Sequence, residues 1–112
     1  MLTITSALND MLSIDKIKND ARSVVSEADG VLWVNDEKSV DVSTKDPLEV
    51  IAKSFHIRDP EYGFGNHFRA LVAVGGLIGI NNGIPEAGKC FLTLWYNQDV
   101  ELITVDVQAE AP

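Results

Sequence analysis

A single cysteine, Cys90, stands among the 112 residues, so no disulfide can form within the chain. Basic residues are scarce as well: 9 against 17 acids, a formal net charge of −8. A chain so short of cations is ill suited to displace counterions from nucleic-acid phosphates or to settle on an anionic membrane. Long apolar runs are missing too. The longest, Ala70 to Ile80, contains three glycines and falls short of the roughly 20 residues needed to span a bilayer. Met1-Leu2-Thr3-Ile4-Thr5 has neither the positive charge nor the apolar length of a secretory leader. Internal repeats, low-complexity tracts and linker-like Pro/Ser runs are absent. Together these absences describe a soluble, acidic, cytoplasmic protein with no membrane attachment and no direct nucleic-acid binding.

Cofactor motifs are also lacking. Gly63-Phe64-Gly65 and Gly75-Gly76-x-x-Gly79 complete neither a Walker loop nor a dinucleotide fingerprint. Turn geometry accounts for such glycines, and no cofactor is expected. No close-spaced pair of metal ligands is present, so no metal is assigned. Cys90 lies in the apolar run Cys90-Phe91-Leu92 without an activating base nearby in sequence. It reads as a small buried hydrophobe and not as a nucleophile.

What is present suits one domain, residues 1–112, with 108–112 as a frayed tail. The hydrophobic fraction of 46% and charged fraction of 23% are ordinary for a globular chain. At this length folding buries roughly 65% of the unfolded surface, enough for one core. From Thr5 to Asp29 apolar residues recur at helical spacing, with Ile14, Ile17, Ala21, Val24, Val25 and Ala28 on one face. The phase slips near Ser13, a good N-cap, so one kinked helix and two short ones are both open. Val31 to Val34 and Val40 to Val42 flank the polar turn Asn35-Asp36-Glu37-Lys38 and predict a hairpin. Asp46-Pro47-Leu48-Glu49 has the makings of a capping box and predicts a short helix from Pro47 to Phe55. Ala70 to Ile80 reads as a hairpin turning at Gly75-Gly76 or as a buried helix; the glycines favour the hairpin. Lys89 to Tyr96 and Val100 to Val107 read as strands joined at Asn97-Gln98-Asp99. The fold class is therefore α+β: N-terminal helix or helices, a hairpin, a short helix, then a mainly antiparallel C-terminal sheet.

Polar chemistry is densest between His56 and Arg69. This stretch holds both histidines and two of the three arginines, and the candidate site residues are His56, Arg58, Asp59, Glu61, His67 and Arg69. Histidine titrates near neutrality and arginine forks onto carboxylates or phosphates, so the set suits a ligand binder or a small enzyme. An alternative, purely structural reading pairs Asp59 or Glu61 with Arg58 or Arg69, places His56 at a helix C-terminus, and uses Tyr62 and Phe64 to pin the loop. Trp33 and Trp95 sit in strands, where large aromatics serve a core or an interface.

The leading reading is a binding protein that works by contact and not catalysis. Its expected partner is protein, a second copy included, met through the C-terminal sheet, where Val100 to Val107 carries apolar residues on both faces. The alternatives are an enzyme or ligand binder using the His56-to-Arg69 loop, and an acidic inhibitor of a nucleic-acid-handling protein. The last requires Glu86, Asp99, Glu101 and Asp106 on one face.

Overall fold

The computed structural model describes residues 11–35, 37–59, 61 and 65–111. Among the described residues the helix α1 (Ile14–Glu27) is followed by the strands β1 (Val31–Asn35), β2 (Lys38–Asp41), β3 (Leu48–His56), β4 (His67–Val74), β5 (Leu77–Asn81), β6 (Ile84–Ala87), β7 (Cys90–Tyr96) and β8 (Leu102–Gln108). The class is α+β, as expected. All pairings are antiparallel: a central sheet ordered β3-β4-β7-β8 and two separate hairpins, β1-β2 and β5-β6. No helix among the described residues is long and apolar enough to cross a membrane.

The helix begins where the phase slip places it. Ser13 is the N-cap, its side chain accepting from the Lys16 amide at 3.1 Å. Residues 5–10 of the longer predicted helix lie outside the described residues. Ile17, Ala21 and Val25 face the sheet, and Leu12 is buried beside them. From the sheet come Phe68, Ala70, Val72 and Val74 of β4 and Cys90, Leu92, Leu94 and Tyr96 of β7. Leu32 and Val42 close one side. The Tyr96 hydroxyl donates to Asp20 at 2.8 Å, and Lys16 pairs with the same carboxylate at 3.3 Å, locking α1 to β7.

The short helix predicted over Pro47–Phe55 is instead the edge strand β3. Both acids of the supposed capping box are used elsewhere. Asp46 accepts from the Ser43 amide at 2.7 Å and from Lys89 Nζ at 2.8 Å, while Glu49 accepts from the Leu77 amide at 3.3 Å. With neither acid turned onto its own backbone, the segment from Leu48 to His56 pairs with β4, with one bulge at Ile51. As an edge strand it bonds every second residue to that neighbour. Val50 and Ile51 are β-branched and suit that choice. His56 therefore ends a strand, and the helix-terminus reading of it falls with the helix.

The strands on either side of Gly75-Gly76 are real, but they do not pair with each other. Both glycine amides donate to the Pro47 carbonyl, at 2.9 and 3.1 Å, and the chain leaves the central sheet there to build the β5-β6 arm. It turns at Asn82 and Gly83, both at positive φ (53° and 79°), and returns through Gly88.

Candidate functional site

Alternation along the central sheet sends every second side chain away from α1. On β3 these are Ala52, Ser54 and His56; on β4, His67, Arg69 and Leu71; on β7, Thr93 and Trp95; on β8, Thr104, Asp106 and Gln108. Register sets His56 against His67, Ser54 against Arg69, Arg69 against Trp95, and Thr93 against Asp106. The result is an open groove of about 410 Å³ whose lining includes Ser54, His56, Arg69, Leu71, Thr93, Trp95, Asp106 and Gln108.

A ring stack runs along one side. His56 lies parallel to His67 (centroids 4.9 Å, 5° between planes), and His67 stacks on Trp95 at 5.1 Å. His67 is buried. Its Nδ1 is 2.8 Å from the Gly65 carbonyl, which can only accept, and Arg69 Nε donates to its Nε2 at 3.0 Å. These two bonds define one tautomer, with the proton on Nδ1. The Arg69 guanidinium lies over the Trp95 ring, Cζ 4.0 Å from its centroid. Trp95 Nε1 donates to Asp106 Oδ2 at 3.2 Å, and Thr93 donates to Gln108 at 3.2 Å.

Burial, then the positive charge of Arg69 and the more distant one of Arg58, holds His56 below the ordinary histidine value. Burial likewise lowers Arg69, with Arg58 adding to the effect and Asp106 opposing it. Arginine stays charged through such a shift. Ser54 Oγ is 2.8 Å from His56 Nε2, the spacing of a nucleophile with its base. Among the described residues no carboxylate is hydrogen-bonded to the other His56 nitrogen. What the geometry supplies is a fixed cation on an aromatic ring, a carboxylate across from it, and hydroxyl and amide groups between.

Of the six sequence candidates, His56, His67 and Arg69 come together. Arg58, Asp59 and Glu61 stay exposed on the loop: the Arg58 amide donates to Asn66, and Asp59 accepts from the Glu61 amide. Ion pairs among the described residues are Lys16–Asp20 and Lys89–Asp46, so the expected pairing of Asp59 or Glu61 with Arg58 or Arg69 does not form there. Tyr62 and Phe64, with Gly63 of the Gly63-Phe64-Gly65 turn, lie outside the described residues. No group of three His, Cys, Asp or Glu side chains converges among the described residues.

Ser54, Thr93, Trp95, Asp106 and Gln108 were not singled out as site residues from sequence. Ser54 and His56 are two apart and share a face once the segment is read as a strand. The others are joined to them only by cross-strand register. Glu86, Asp99, Glu101 and Asp106 do not share one face: Glu86 is on the arm, Asp99 and Glu101 flank the β7-β8 turn, and Asp106 is in the groove.

No protein-family model matches the chain, and neither a curated protein nor a solved structure matches it.

Proposed function

We propose that the chain is a binding domain whose recognition element is the open face of the central sheet. One observation carries this reading: the Arg69 guanidinium is held over Trp95 in the lining of the groove, with Nε donating to His67 and its two terminal amines making no hydrogen bond among the described residues. A preorganised arginine loses little side-chain entropy on meeting a carboxylate or phosphate. The groove is of the size that takes small organic molecules or a short stretch of peptide. The Ser54–His56 pair serves it as a hydrogen-bonding wall.

The test is a heteronuclear NMR titration of the full chain with benzoate, indole and alanyl-leucine as separate probes. Amide shifts gathered on Ser54, Arg69, Leu71, Thr93, Trp95 and Asp106 support the assignment. Shifts confined to the β5-β6 arm, or none with any probe, contradict it.

A second reading, association with another copy, is favoured by the arm and not by the sheet face. Ile78, Ile80 and Ile84 are all more than half exposed there, and Glu86 is the one charged residue between Leu77 and Ala87. In a chain of charge −8 this is where two copies meet least repulsion. Sedimentation equilibrium decides it: a dimer lost in Ile80→Asp supports the reading, and a monomer at high micromolar concentration refutes it.

A further inference from the structure

The groove presents opposite charges at its two ends, each with unused capacity. Arg69 keeps its terminal amines open, and Asp106 uses Oδ2 for the Trp95 indole while Oδ1 has no hydrogen-bond partner. The two do not pair with each other, although Asp106 acts electrostatically on Arg69. Register explains why. Arg69 opposes Trp95 on β7, whereas Asp106 opposes Thr93, two residues along the same strand. Two strand spacings across and two residues along put their Cα atoms roughly 12 Å apart. The side chains shorten that gap without closing it. Between them on β7 lie Trp95, whose indole touches both, and Thr93, whose hydroxyl is engaged by Gln108, while Leu71 on β4 borders Thr93 as an apolar floor.

Taking the groove as the binding site, we infer that its ligand is a zwitterion, a free amino acid or short peptide. Its carboxylate lies on the Arg69 terminal amines, its ammonium on Asp106 Oδ1, and its apolar body against Trp95 and Leu71. A fixed pair of unlike charges held apart is the complement of such a molecule. It disfavours a simple anion, which Asp106 repels, and a simple cation, which Arg69 repels. A polyanion is opposed twice over, by Asp106 and by the net charge of −8.

The experiment compares alanyl-leucine, its N-acetyl form and its C-terminal amide by calorimetry and by Trp95 fluorescence in Trp33→Phe, which leaves Trp95 as the sole indole. The zwitterion is expected to bind at least tenfold more tightly than either capped form. Arg69→Gln should abolish its advantage over the amide, and Asp106→Asn its advantage over the N-acetyl form. Equal affinity for all three peptides overturns the zwitterion assignment while leaving the groove as the site. Groove shifts with benzoate or indole but none with alanyl-leucine overturn it in the same way. Silence from every probe overturns both. Because the capped peptides are compared on one unmutated binding face, the outcome does not depend on whether the groove variants fold.

Discussion

Cys90 and His56 show how one residue's surroundings set its chemistry. Cys90 has no exposed surface and faces the core between β4 and α1, and burial pushes its thiol up to about 11. The thiolate is the reactive form, so modification by a disulfide reagent such as DTNB should proceed in the native protein only at the rate of unfolding and become immediate in urea. Rapid native-state labelling would contradict that burial. His56 is shifted the other way, below its ordinary value of 6.5, by burial and by neighbouring cations. The unfolded chain therefore takes up this proton at a higher pH than the folded one. The contribution of His56 to stability is full above about 6.5 and declines as pH falls toward its folded value. Urea midpoints followed downward from pH 7.5 should fall less steeply in His56→Gln than in the wild type, and parallel curves would refute the assignment. Residue identity makes both side chains conspicuous in sequence. The apolar run around Cys90 already points to its burial, whereas the partial burial of His56 and the nearness of Arg69 to it are properties of the packed sheet.

At the scale of elements, the most instructive segment is β3. Asp46-Pro47-Leu48-Glu49 is a sound helix start when read alone, because local signals describe what the backbone does without partners. Here Lys89 lies 43 residues away in sequence and takes Asp46, and β4 offers a partner strand along the whole segment apart from the bulge at Ile51. A turn's worth of capping energy, about 1 kcal/mol, cannot compete with the pairing and burial of that strand. The root of the arm is equally non-local. Gly75, at φ 88°, and Gly88 cross so closely that a Cβ on Gly75 would lie 2.8 Å from the Lys89 nitrogen, and one on Gly88 would be driven into the Gly75 carbonyl oxygen. Gly88→Ala should therefore lower stability by about 3 kcal/mol, the upper end of what overpacking costs. At Gly79, inside β5, the nearest atom to an added Cβ is the flexible end of Glu86 at 3.9 Å, and alanine there should change stability by less than about 0.5 kcal/mol. Urea denaturation of the two variants side by side tests the pair; equal losses would place the crossing wrongly.

Over the whole molecule there are 17 acids and 9 bases, and the close ion pairs among the described residues are Lys16–Asp20 and Lys89–Asp46. Both involve partly exposed lysines and contribute at most about 1 kcal/mol each. Net repulsion outweighs what salt would screen from those pairs. Raising sodium chloride from about 0.01 M to about 1 M shortens the screening length from roughly 30 Å to 3 Å. The urea midpoint should therefore rise with salt, and a fall would mean that attractive pairs dominate. The same charge argument separates the surfaces. The groove holds the cation Arg69 and the acid Asp106, the arm carries Glu86 alone, and the remaining acids are spread over several elements.

Sequence by itself determined the α+β class, an N-terminal helix with Ser13 as a good cap, the first hairpin and the β7 and β8 strands. Each rests on periodicity or on turn and cap residues that act over a few neighbours. Tertiary structure alone decided that residues 48–56 are a strand, that Gly75-Gly76 is a departure from the sheet and not a hairpin turn, and that Ser54, Arg69, Trp95 and Asp106 line one groove. Those outcomes depend on which strand pairs with which and in what register. Register arises from burying Val72, Leu92 and their neighbours against α1, a requirement that no window of local sequence contains.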